Sequence, residues 1–165
     1  MARRAKNTSQ QGASFERQIM HDLQRYGYLT MRSAASKGPA DVIAVGDRET
    51  LVVQAKLSNP QIGPTARRAV LDLADRMGPT AVPLVATKNT IWVSYRLLTG
   101  PGPKDWMPWQ PALTRYAPCA GCGCRLGSHD ETGCWGHVPA GCAVKCSRFE
   151  LRPAGWVDTP VSPVS

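Results

Sequence analysis

The sequence predicts an α/β fold: a mixed β-sheet flanked by helices in the order α-β-β-β-α-β-β, followed by a small irregular cysteine-rich segment. Three observations carry this reading. Apolar residues recur at helical spacing in two places, Phe15/Ile19/Leu23/Tyr26 and Val70/Leu73/Ala74/Met77. Five short apolar runs bounded by glycine, proline and polar clusters read as strands. All six cysteines fall within residues 119–146, apart from these elements.

The elements follow in order. Residues 13–26 form an amphipathic helix, with Glu16 bordering its core-facing stripe. Leu29–Ala34 reads as the first strand. Pro39–Val45 is an apolar run broken by one carboxylate, Asp41, and the Gly46-Asp47-Arg48-Glu49 cluster after it reads as a hairpin turn into Leu51–Leu57. A second helix spans 65–77, with Arg67, Arg68 and Arg76 placed off its apolar stripe. Thr80–Thr87 and Thr90–Leu97 complete the sheet, separated by Lys88-Asn89. A helix-flanked mixed sheet follows from this alternation. So small a domain buries a modest core, and dimerisation would help it.

Asp41 and Gln54-Ala55-Lys56 carry the chemistry. Residues two apart on a strand share a face, so Gln54 and Lys56 point the same way and Val53 and Ala55 the other. An amide and an ammonium on an otherwise apolar strand are costly to bury without partners. A hard divalent cation fits between them: Mg²⁺ (or Mn²⁺) takes oxygen ligands, here the Asp41 carboxylate and the Gln54 carbonyl, and retains several waters. Metal-bound water deprotonates readily and attacks phosphorus, and Lys56 would orient it or neutralise charge on the phosphate. Glu16 is a third oxygen ligand within reach from the first helix.

Residues 12–98 resemble the archaeal-type Holliday junction resolvases, a branch of the PD-(D/E)xK nuclease superfamily. The shared stretches are Gly12-Ala13-Ser14-Phe15-Glu16-Arg17, Arg32-Ser33-Ala34-Ala35-Ser36-Lys37 before Asp41, Val53-Gln54-Ala55-Lys56, and Met77-Gly78-Pro79-Thr80-Ala81-Val82-Pro83-Leu84-Val85-Ala86. The resemblance implies a restriction-endonuclease-like sheet and a metal-dependent endodeoxyribonuclease that cuts four-way or other branched DNA as a homodimer. It implies that Glu16, Asp41 and Gln54 belong to the metal site and that Lys56 is catalytic. Ser36, Arg17 and Arg32 would contact the scissile phosphate or support the site. The family carries Glu where this chain has Gln54, a change that removes one negative charge and should weaken metal binding. The Gln-x-Lys form also resembles Mrr-type restriction nucleases. Two other readings follow: a restriction- or repair-type nuclease acting on duplex DNA, and a DNA-binding module without cleavage.

Charge is distributed unevenly. Residues 1–117 hold sixteen Lys and Arg against eight Asp and Glu, and the remainder four against four, so the +8 net charge belongs to the first part. That asymmetry favours a nucleic-acid partner. Arg3, Arg4 and Lys6 lie in a basic flexible arm, residues 1–11, suited to backbone phosphates. Lys37, Arg67 and Arg68 are further candidate phosphate contacts. Residues 99–118, with Gly100, Pro101, Gly102, Pro103, Pro108, Pro111 and Pro118, exclude a regular helix or central strand and read as a linker.

Residues 119–150 hold Cys119, Cys122, Cys124, Cys134, Cys142 and Cys146, with His129 and His137 among them. Cys119-x-x-Cys122 and Cys142-x-x-x-Cys146 have metal-ligand spacing and make the simplest four-ligand zinc site. His129, Cys124, Cys134 and His137 are alternative ligands. No signal peptide or membrane-length apolar run is present, so a cytoplasmic setting is expected. There zinc explains the cysteines better than disulfides do. A segment with so little aliphatic core needs such a staple to fold. The tail, residues 151–165, lacks periodicity and is expected to be loosely ordered.

Overall fold

The computed structural model describes residues 8–33, 38–89 and 92–118, together with the backbone of two short strands at 129–130 and 133–134. Helix α1 (Thr8–Arg25) is followed by β1 (Leu29–Arg32), β2 (Val42–Val45) and β3 (Thr50–Lys56). Helix α2 (Pro64–Met77) then leads to β4 (Ala81–Lys88), β5 (Val93–Leu98) and β6 (Trp106–Trp109). The six strands form one sheet in sequence order, antiparallel except for the parallel pair β3–β4, which α2 connects. A separate antiparallel pair joins β7 (His129–Asp130) to β8 (Gly133–Cys134). The expected mixed sheet flanked by helices is therefore present, with one strand more than anticipated.

Two cores hold it. Phe15, Ile19 and Leu23 recur every four residues on α1 and are fully buried, packing on Val42, Ala44, Leu51, Val53, Leu84 and Ala86. On the opposite face, Val70 and Ala74 of α2 pack on Val52, Val85 and Leu98. The alternation along β3 is direct: Leu51 and Val53 face α1, whereas Val52 faces α2. Helix α1 ends where Gly27, at φ 87°, turns the chain back, with Tyr28 N–H donating to Leu23 O at 3.2 Å.

Two expectations need correction. The segment 99–118, read as a linker, is part of the domain. Trp106–Trp109 pairs with β5, and Pro108 is tolerated because β6 has a partner on one side only. Beyond it, Thr114 and Ala117 are buried, and Thr114 N–H donates to Tyr26 O at 2.9 Å. A Cβ at Gly27 would collide with the Ala117 backbone and the Thr114 hydroxyl, which shows how closely the segment seats.

Arg67, taken as a DNA contact, is also placed differently. It is buried because positions 67, 70 and 74 share one face of α2. Its guanidinium donates to Gly100 O at 3.1 Å, Asp105 O at 2.9 Å and Pro103 O at 3.4 Å. Arg67 therefore organises the turn between β5 and β6 and offers nothing to a phosphate. Arg68, the next residue, is exposed.

Arg67→Ala should lower the unfolding free energy by about 3 kcal/mol, because it strands several inward-facing carbonyls at once. Urea denaturation followed by tryptophan fluorescence would read the loss, and a change below about 0.5 kcal/mol would contradict this role.

A second prediction concerns Asp22, which joins α1 to β5. Its carboxylate accepts from Tyr95 Oη at 2.8 Å and pairs with Arg25 at 3.4 Å. Burial pushes its pKa above the ordinary 3.8, against the opposing pull of Tyr95 and Arg25. The folded state thus keeps the proton to higher pH than the unfolded chain does. Stability falls as pH rises from 3.8 through the folded value. Asp22→Asn keeps the acceptor for Tyr95 and removes the ionisation. Its stability relative to wild type should therefore improve as pH rises through that window, a trend measurable by thermal melts at a series of acidic pH values.

Candidate active site

Strand directions gather the polar residues at one end of the sheet. In the registers Arg32↔Val42, Val42↔Val53, Lys56↔Thr87 and Thr87↔Ser94, β1, β3 and β4 finish there while β2 and β5 begin. Asp41 lies one residue before β2, yet it continues the ladder on both sides. Its N–H donates to Val53 O at 2.9 Å and its carbonyl accepts from Ser33 N–H at 3.0 Å. That pairing sets Asp41 beside Gln54.

The side chains complete the arrangement. Asp41 Oδ2 accepts from the Ala55 N–H at 2.7 Å and from Gln54 Nε2. An amide and a backbone donor therefore converge on one carboxylate oxygen. Lys56 is half-buried at the end of β3, two residues from Gln54 and on the same face as Val52, the face toward α2.

Glu16 approaches from the other side. It projects from α1 and pairs with Arg32 Nε at 3.1 Å. Thr30 and Arg32 share a strand face, and Thr30 accepts from Gln24 of α1 at 2.8 Å, which fixes that face as the α1 side. Glu16–Arg32 and Asp41–Gln54 thus lie at the same end of the sheet, on opposite faces by strand alternation. Among the described residues, no three His, Cys, Asp or Glu side chains form a metal-binding group. Arg17 is exposed on α1. Ser36, Lys37, Arg3, Arg4, Lys6, Cys119, Cys122, Cys124, His137, Cys142 and Cys146 lie outside the described residues, as do the side chains of His129 and Cys134.

The oxygens present suit a hard cation. Asp41 supplies a carboxylate, and a half-turn of the Gln54 terminal torsion exchanges its Nε2 for Oε1 toward the same point. Two such ligands with retained waters match how Mg²⁺ is usually held. The sequence reading missed the Ala55 N–H as a partner of Asp41. A backbone donor has no residue signature, and only the β2–β3 register reveals it.

A family model of archaeal Holliday junction resolvases (Hjc) matches residues 7–91. The chain belongs to this family. Membership makes it a resolvase-type nuclease, a hydrolase acting on DNA junctions, and the matched stretch contains Glu16, Arg17, Arg32, Asp41, Gln54 and Lys56. Among solved structures it is similar to Hjc, a Holliday junction resolvase from the archaeal hyperthermophile Archaeoglobus fulgidus. The identity is 24%, with 51% of this chain and 72% of that one covered, at a TM-score of 0.43. No curated protein matches. Among the described residues no helix is long and apolar enough to cross a membrane.

Proposed function

We propose that this protein is a divalent-metal-dependent endonuclease that cuts four-way DNA junctions with paired, symmetric nicks. The observation that carries the reading is the convergence of Gln54 and the Ala55 N–H on Asp41, with Lys56 on the same strand face, inside the family-matched stretch. Asp41 and Gln54 would hold Mg²⁺ (or Mn²⁺), which when bound supplies an activated water and neutralises phosphate charge. Lys56 positions that water or balances the charge developing on the phosphate. Glu16 acts at the same end of the sheet and is oriented by its ion pair with Arg32. Ser36, Arg17 and Lys37, together with Arg3, Arg4 and Lys6 of the N-terminal segment, are phosphate contacts. Arg68 serves the same role on the exposed side of α2.

The Asp41–Gln54 hydrogen bond has a consequence for metal binding. Two facing carboxylates repel and demand a cation, whereas an amide satisfies Asp41 by itself. A cation must here displace an internal bond and gains one charge fewer. Gln54→Glu should therefore lower the half-saturating Mg²⁺ concentration for cleavage, and no change would put Gln54 outside the metal's ligands. Asp41→Asn and Lys56→Ala should abolish cleavage of a labelled immobile junction yet leave binding largely intact. Near wild-type cleavage by either variant would overturn the assignment.

A homodimer provides the two opposed sites that paired nicks require. Leu29, Met31 and Val45 are exposed at 68%, 51% and 37%, with Leu29 opposite Val45 on the edge of the sheet, a surface suited to burial against a second copy. Equal cutting of linear duplex at sequence-determined sites would instead favour the restriction-type reading.

The cysteine segment is proposed to bind zinc through Cys119, Cys122, Cys142 and Cys146, with His129, Cys124, Cys134 and His137 as alternative ligands. Metal analysis of reduced protein should find about one zinc per chain. A chain ended after Pro118 should still fold and cleave, since Ala117 completes the packing and Lys56 is the last proposed catalytic group. Stoichiometric disulfides without metal would defeat the zinc assignment.

A further inference from the structure

Among the described residues, no tryptophan or tyrosine is more exposed than Trp92, at 59%. It stands at the turn between β4 and β5. There its carbonyl accepts from Asn89 N–H at 2.9 Å, which extends the ladder one rung past Lys88↔Val93. That rung fixes the backbone, so strand alternation still holds. Val93 packs on the α1-side core, which turns Trp92 to the other face, with Ser94.

Its position gives the exposure a meaning. Strands β3 and β4 finish, and β5 begins, at the end of the sheet that holds Asp41, Gln54 and Lys56. Lys56 pairs with Thr87 and Thr87 with Ser94, which makes one row across that end. Trp92 is two residues outward from Ser94, so its backbone lies about 12 Å from that of Lys56. On β4 the residues packed under α2 stop at Val85, whose row lies four residues, about 13 Å, short of Trp92. The indole thus stands beyond the cover of α2, at the open end of the sheet.

The surroundings suit a polyanion. Residues 76–104 contain no Asp or Glu, and the exposed Lys88 adjoins Trp92 on the opposite face of the hairpin. The apolar edge suited to a second copy, Leu29 and Val45, is on the far side of the sheet, across β3. Trp92 also lies just past the family match, which ends at residue 91.

We propose that Trp92 stacks on a base left open at the branch point, and so determines specificity for branched over continuous DNA. The proposal rests on the nuclease reading above and deepens it. In continuous duplex each base pair is stacked on both sides and offers an indole no free face. Where arms separate, the end pair of each arm exposes one. An indole is flat, rigid and indifferent to base identity, because every base has a π-face. At 3.4 Å per nucleotide along one strand, 12 Å places that face about four nucleotides from a phosphate held at Lys56.

The test is binding by the full chain, without divalent metal, to an immobile junction and to duplex of equal length. Trp92→Ala should weaken junction binding roughly tenfold, the loss of one base–aromatic stack, and leave duplex binding unchanged. The salt dependence of junction binding should also stay as in wild type, since no charge is removed. Trp92→Phe should restore most of the affinity, because it keeps an aromatic face. Junction binding should quench tryptophan emission in wild type, and Trp92→Phe should bind while losing part of that quench. Unchanged junction affinity in Trp92→Ala, or an equal loss on junction and duplex, would overturn the stacking role while the nuclease reading stood on wild-type cleavage. Dissociation of a dimer by Trp92→Ala would overturn it too, by making a second copy the partner of the indole. Wild-type protein that neither binds nor cuts the junction would overturn both readings. If Trp92→Ala fails to fold, the quench decides: an undiminished one in Trp92→Phe overturns the proposal.

Discussion

The structure depends on one continuation of strand pairing. Asp41 stands outside β2 by secondary structure but inside it by hydrogen bonding, because its N–H reaches Val53 O and its carbonyl receives Ser33 N–H. A one-residue slip between β2 and β3 would turn every side chain of one strand to the opposite face. The cost would be high, since Val42 and Val53 are buried against α1 while Val52 is buried against α2. Hydrophobic packing thus fixes the register, and the register delivers a carboxylate, an amide and a backbone N–H to one point. The polar site is a by-product of apolar order on both faces of a thin sheet.

Much of this was legible in the sequence where periodicity was strong. Phe15, Ile19 and Leu23 announced α1 and its buried face, and the apolar runs around Asp41 and Gln54 announced β2 and β3. The failures had local causes. Proline and glycine density after Thr99 argued for a linker, yet an edge strand tolerates Pro108, and the Arg67 bonds that tie down its turn are tertiary contacts without a sequence signature. Arg67, expected off the apolar stripe, is buried although arginine rarely is. Its position three residues before Val70 and seven before Ala74 already put it on the apolar face. Arg67 and Arg68 show the limit: adjacent and identical, they differ by one helical step, and that step separates a structural anchor from a solvent-facing charge.

Glu16 illustrates a different limit. The sequence placed it on the helix facing the sheet, but strand alternation puts Arg32, its partner, on the side opposite Gln54 and Lys56. This end of the sheet thus carries polar groups on both faces. The ion pair with Arg32 holds the Glu16 carboxylate near the strand ends while balancing its charge, a modest contribution to stability given the exposure of Arg32. Its value is orientational, since it fixes a side chain that would otherwise sample solvent from the helix surface.

The Gln54 amide has the widest consequence. A carboxylate at this position would leave two like charges on adjacent strands, a state that favours protonation or a bound cation. The amide removes that conflict and donates to Asp41, so the strand ends are electrostatically satisfied on their own. The fold therefore holds this corner together through its own hydrogen bonds. If Asp41 and Gln54 hold a cation as proposed, a phosphate oxygen would bring the negative charge that Gln54 does not supply. Under the proposed metal role, this would tie cation capture to the presence of DNA in the site.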